Sequence, residues 1–133
     1  MAFARTALSL ASNLVEILDP AAAASAQNDV AGAAVTALYM LEIDNSENEV
    51  LTYFKAYNAA APTIGTTAPD LVIPCAPPDA DADPPFEGIT RVVIPEGIAV
   101  FSTALSYACV TTPGTAGTSP PAEAVAIKII AAV

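Results

Sequence analysis

Three aspartates, Asp79, Asp81 and Asp83, stand at alternate positions, which is how a calcium-binding loop opens. The pattern then fails as an EF-hand. Pro84 occupies the place of the invariant glycine, and Thr90 the place of the bidentate glutamate. The calcium reading that remains is an irregular oxygen site built from Asp81, Asp83 and Glu87, set against a plain solvated acidic loop. A second acidic cluster, Glu42, Asp44, Glu47 and Glu49, would hold a cation between subunits, or more simply blunt a hairpin end and keep the chain in solution. Paired carboxylates also run glycoside hydrolysis, but that needs a cleft and one acid with a raised pKa, and the spacing supplies neither. Nucleophilic catalysis has still less to work with. The chain has no histidine, so the commonest general base and transition-metal ligand is missing. Ser9, Ser102 and Ser106 lack a base at catalytic spacing, and there is no G-x-S-x-G elbow or glycine-rich phosphate loop. Cys75 and Cys109 show no metal-ligand spacing and each lies in an apolar run. They read as two small buried hydrophobes rather than a disulfide. The chain is therefore expected to be no enzyme and to carry no cofactor.

Composition narrows the partners. The 133 residues carry 14 acids against 4 bases, a formal charge of −10. Direct nucleic-acid binding needs clustered Lys and Arg, and a polybasic membrane contact needs the same. Tyr39, Tyr53, Tyr57 and Tyr107 accordingly read as strand packing rather than a base-stacking platform. Hydrophobic residues make up 54% and charged residues 14%. A soluble domain usually carries about a quarter charged residues, so part of the apolar surface is expected to be covered by a partner. No run approaches the ~20 apolar residues of a bilayer span. The stretch Ala2–Ala26 ends on a small-residue triplet, but Asn13, Glu16, Asp19 and Pro20 interrupt any secretory core.

The elements that must position these residues are short. Runs of apolar and β-branched residues alternate with Pro, Gly, Asn and Asp clusters, which is an all-β signature. Arg5–Ala11 alternates, and Asn13–Leu18 follows and should stop at Asp19-Pro20, because proline cannot donate to a ladder. Ala21–Asn28 reads as a short helical turn or an extended arm. Val35–Ile43 and Glu49–Tyr57 read as a β-hairpin around the polar turn Asp44–Asn48. On the second strand Val50, Thr52, Phe54 and Ala56 share one face and Leu51, Tyr53, Lys55 and Tyr57 the other, one of them core and the other, with its aromatics, half-covered or an interface. Asp70–Cys75, Ile89–Ile94, Ile98–Thr103, Leu105–Thr111 and Ala124–Ala132 complete the strands, with Pro95-Glu96-Gly97 as a tight turn. About eight or nine short strands fit an antiparallel two-sheet sandwich or jelly roll. Residues 31–133 would form that domain. Residues 1–30 would be either an N-terminal arm or edge strands of the same sandwich.

The run Phe54–Pro74 carries K-x-Y-N, then A-P-T-x-G-T, a further proline, an apolar strand and Pro74. The run Pro95–Ala108 carries F-S-T-A-L-x-Y-A, and Ala124–Val133 closes the chain as an apolar strand. In that order the three blocks resemble small β-rich virion proteins of phages, over about Ala34–Val133. Two features depart from the pattern: the acidic insertion Ala76–Pro85 is long, and Ala104 stands where glycine is common. The resemblance implies a structural virion component with no catalytic residues to carry over.

The leading expectation is a capsid decoration, or cement, protein on the outer surface of the virion, made in the host cytoplasm. It would be a homo-oligomer, taken as a trimer, bound to the major capsid protein, with repetition across the shell adding avidity. Leu8, Leu10 and Leu14 in the N-terminal segment, with Tyr53 and Tyr57, are the candidate contact residues. The second expectation is a head-fibre or tail-associated receptor-contacting module with loops Asp79–Pro85 and Thr112–Pro121 as its tips.

Overall fold

The computed structural model describes residues 3–7 and 13–133. Among the described residues it is all-β, with eight strands in two antiparallel sheets. They are β1 (Ala4–Ala7), β2 (Leu14–Ala22), β3 (Ala37–Asp44), β4 (Thr52–Tyr57), β5 (Leu71–Cys75), β6 (Ile89–Ile98), β7 (Ser106–Val110) and β8 (Val125–Ala132). One sheet has the order β1-β2-β8-β3-β6 and the other β5-β4-β7. Alternation sets the inner faces. Val15 and Ile17 of β2, Leu41 and Ile43 of β3, and Val125, Ile127 and Ile129 of β8 point into the interior from the large sheet. Phe54, Cys75, Tyr107 and Cys109 meet them from the small one. The rings of Phe54 and Tyr107 lie 5.3 Å apart and tilted by 33°, an arrangement of the kind aromatic pairs favour.

Two prolines expected to stop strands lie inside them. β2 runs through Pro20 to Ala22. Its partner β1 ends at the pair Ala4–Leu18, and on the other side the register with β8 shifts between Asp19 and Ala22. Pro20 therefore sits in a bulge where no ladder bond is asked of it. Pro95 lies within β6, an edge strand. There Leu38 pairs with Ile98 and Met40 with Val93, so Ile94–Gly97 loop out opposite the single residue Tyr39. The expected turn is thus a wide bulge. Gly97 permits it with φ +71°, and a Cβ there would come within 2.8 Å of Ala37 Cβ.

The expected hairpin of Val35–Ile43 with Glu49–Tyr57 does not form. β3 and β4 belong to different sheets. The connection crosses the end of the sandwich, held by two buried asparagines. Asn45 Nδ2 donates to Val50 O at 3.0 Å and to Cys75 O at 2.9 Å. Asn48 Nδ2 donates to Asn45 Oδ1 at 3.0 Å and Glu123 O at 3.1 Å, while Glu123 N donates to Asn48 Oδ1 at 2.9 Å. Side-chain amides there replace the ladder that a hairpin would have provided. Ile98–Thr103 is not a strand beyond Ile98, although Phe101 is buried in the core.

The described part of residues 1–30 belongs to the sandwich. β1 is an edge strand and β2 an interior one. Ala21–Asn28 forms no helix. After β2 the chain crosses to the small sheet and covers the free edge of β7. Gln27 and Tyr107 exchange backbone bonds at 2.8 and 3.0 Å, Cys109 N donates to Ala23 O at 2.9 Å, and Val30 N to Leu105 O at 2.8 Å. An edge that would otherwise recruit foreign strands is thereby closed.

Candidate functional site

The outer faces of the two sheets differ. That of the small sheet is roofed. Lys55 on β4 is fully buried, and its Nζ donates to Gly114 O at 2.6 Å and Gly117 O at 3.1 Å, pinning the 111–121 loop over the strand. Burial with no carboxylate partner lowers the Lys55 pKa. Tyr57 lies on the same face and is also fully buried, with its pKa raised by burial. Its hydroxyl has no hydrogen-bond partner among the described residues. Tyr57 is therefore not available as the contact residue expected of it. Tyr53 is half-buried on that face.

The outer face of the five-stranded sheet is open. In register across it lie Leu18 on β2, Lys128 on β8, Glu42 on β3 and Arg91 on β6. Arg91 Nε donates to Glu42 Oε2 at 2.7 Å, and Lys128 Nζ lies 3.5 Å from Glu16 Oε2. One row along, Ile130, Met40 and Val93 stand side by side, and on the other side Ala126, Asp44 and Ile89. Leu18 is 41% exposed, Val93 61% and Ile89 37%. A shallow notch of about 450 Å³ opens beside the Pro20 bulge, lined by Ala4, Leu18, Pro20 and Ala126 together with the charged Glu42, Asp44 and Lys128. Leu14 is half-buried at the end of this face, near Tyr39 and Ile130. Leu8 and Leu10 lie outside the described residues.

All four bases have structural work. Arg91 and Lys128 are paired as above, Lys55 is buried, and Arg5 donates to Ala31 O at 2.6 Å. No basic groove for phosphate is assembled from them.

The calcium candidates are scattered in solvent. Asp81, Asp83 and Glu87 are all exposed. Asp79 Oδ1 instead accepts the amides of Asp81 and Ala82, closing a local turn. Among the described residues no three carboxylate, cysteine or histidine groups gather as a metal site.

Cys75 and Cys109 are buried free thiols. They flank β4 on β5 and β7, two strand spacings or about 10 Å apart, beyond the reach of a disulfide without backbone movement. Burial raises the Cys75 pKa to about 11, against bonds from the Phe54 backbone and the Thr90 side chain that lower it. Burial raises that of Cys109 as well. Neither is a thiolate nucleophile near neutrality. Ser106 Oγ donates to Ala59 O and accepts from Asp29 N, so it serves the fold.

Sequence reasoning missed the open face because its composition depends on which strands are neighbours. The strands' outward positions, Glu16, Leu18, Lys128, Glu42, Arg91 and Val93, were each visible as alternating residues. Among the described residues no helix is long and apolar enough to cross a membrane. Comparison with protein-family models, curated proteins and solved structures finds no match for this chain.

Proposed function

We propose that the protein is a non-enzymatic structural component of a phage virion that decorates and stabilises the capsid, and that it acts through an extended surface rather than through a pocket. The observation that carries this reading is the open outer face of the five-stranded sheet. Its exposed Leu18, Ile89 and Val93 surround internally paired charges, the make-up of a surface that is covered in use. The block resemblance of Phe54–Pro74 and Pro95–Ala108 supplies the virion setting. The acidic loops keep such a protein soluble before it reaches a shell.

The test is co-sedimentation of the purified chain with expanded, DNA-free capsids of the encoding phage, followed by localisation in a particle reconstruction. Saturable binding at hundreds of sites per shell supports the reading. No binding and no density on the shell would overturn it. A head-fibre or tail module is the second reading, and two exposed loops with fixed shapes favour it. Residues 79–86 are closed by the Asp79–Phe86 backbone pair, and 111–121 by Lys55. A copy number of a few to tens per particle would decide for that alternative.

A further inference from the structure

We infer that the open face of the five-stranded sheet takes a second copy of this chain, packed sheet on sheet about a twofold axis that runs parallel to the strands between β8 and β3. Three observations lead there, and none depends on the capsid reading.

The first is charge. The molecule carries −10. The outward charges of this face are Glu16, Glu42 and Asp44 against Lys128 and Arg91. Three acids against two bases leave the face at −1, so −9 lies elsewhere. Two copies meet with least repulsion here. A basic partner would be drawn to the acidic loop 79–87 instead.

The second is pattern. Read from β2 to β6, the charges are Glu16, Lys128, Glu42 and Arg91, alternating in sign over four adjacent strands. An alternating row of even length is self-complementary under reversal. The proposed axis lays β2 over β6 of the second copy and β8 over its β3. Glu16 then faces Arg91 of the second copy, and Lys128 faces its Glu42. Glu16 starts one row away, in line with Ile130, Met40 and Val93, and its side chain and that of Lys128 meet at 3.5 Å between the two rows, so Glu16 reaches Arg91 of the second copy on the diagonal.

The third is shape. The same operation carries Ile89, which pairs with Asp44 at the far edge, over the level of Pro20 and Ala126 in the second copy. That is where the notch of about 450 Å³ opens. An exposed apolar knob meets a notch whose Leu18, Pro20 and Ala126 are apolar and whose Asp44 and Lys128 are charged, on each side of the axis.

The four strands span about 24 Å by about 20 Å, from strand spacing and rise. That is about 500 Å² per copy and about 1,000 Å² in all, at the lower bound for a specific interface. The dimer is therefore expected to form at high concentration and to dissociate on dilution.

Sedimentation velocity over a wide concentration range tests this. The wild-type chain should move from monomer to dimer and stop at two. Arg91→Glu and Val93→Lys, both at exposed positions, should each weaken association on the order of tenfold or more while leaving the fold intact. The quadruple exchange Glu16→Lys, Lys128→Glu, Glu42→Lys, Arg91→Glu keeps the alternation with signs reversed. It should dimerise again with itself but not with the wild type. A wild-type chain that stays monomeric throughout, or forms a trimer, overturns the inference. So does a dimer indifferent to Arg91→Glu and Val93→Lys, or a folded quadruple variant that remains monomeric. Shell binding is read in a separate experiment, so either proposal can fail without the other.

Discussion

The Tyr107 hydroxyl donates to Asp19 Oδ2 at 2.9 Å across the interior of the sandwich, joining β7 of the small sheet to β2 of the large one. Asp19 is itself buried, and its other oxygen accepts Ala21 N at 2.9 Å in the bulge around Pro20. The bulge, the carboxyl group and the phenol form one unit. Burial, then the adjacent Asp19, raises the Tyr107 pKa, so the phenol keeps its proton as donor.

Tyr107→Phe leaves the fully enclosed Asp19 oxygen without its donor. We expect a loss of about 2–3 kcal/mol in urea unfolding, in line with a buried bond to a carboxyl group. Tyr57→Phe is the matched control. Its hydroxyl is equally buried but has no partner among the described residues, so removal should be neutral or stabilising by up to about 1 kcal/mol. Equal losses for the two variants would mean that the Asp19 bond contributes nothing specific.

The Asn45 knot should be as sensitive as a core residue. Asn45→Ala strips donors from Val50 O and Cys75 O and the acceptor from Asn48 Nδ2. A cost of about 3 kcal/mol is expected. Asn45→Asp should not rescue it, because a carboxylate would face two carbonyl oxygens with nothing to donate. Chemical denaturation of the two variants beside the wild type checks this, and a near-native midpoint for Asn45→Asp would refute the assignment of its amide.

These residues mark where the sequence was readable. Strand class and inner faces followed from local alternation: Val15 with Ile17, Phe54 with Ala56, and Ile127 with Ile129 are each two apart and each pair shares the core. Sheet membership did not follow, because a polar turn between two strands looks the same whether it folds them together or carries the chain across the sandwich. Asn45 and Asn48 do the latter through contacts with Cys75 and Glu123, far along the chain. Pro20 and Pro95 misled for a related reason. Whether a proline breaks a strand depends on whether a neighbour needs its missing N–H, and that neighbour is set by tertiary pairing. The open face carries the same lesson: Lys128, Glu42 and Arg91 become one row only once β8, β3 and β6 are adjacent.

Lys55 should act on its loop more than on global stability. Lys55→Met keeps the buried stem but frees Gly114 O and Gly117 O. A buried charge without a counter-charge is costly to keep, and the freed carbonyls lie in a loop that water reaches, so unfolding free energy should change by no more than about 1 kcal/mol. Amide exchange across 111–121 should nevertheless quicken, since Thr111 N to Ser119 O and Gly117 N to Gly114 O are then the remaining backbone ties within it. Unchanged exchange in this loop would remove its role as a pin.

Stability should fall on the alkaline side. With no histidine, the chain lacks the side chain that ordinarily titrates between pH 5 and 8. Cys75, Cys109 and Tyr107 all have raised pKa values in the folded state, chiefly through burial. Between its unfolded and folded pKa each group is protonated only when folded, so its stabilisation is complete below the unfolded value and is lost as pH rises through the folded one. For Cys75 the window runs from 9.0 to about 11, about 3 kcal/mol for a fully enclosed thiol. Lys55 works the other way, because its lowered pKa lets the folded state shed a proton that the unfolded chain still holds. Tyr57, raised by burial as well, acts in the same direction as the other three, so four groups against one leave a net decline. Urea midpoints at pH 8, 9, 10 and 11 should drop steadily above about pH 9. In Cys75→Ala the starting midpoint will be lower but the decline shallower. A wild-type midpoint constant to pH 11 would show that the thiols are not enclosed as described.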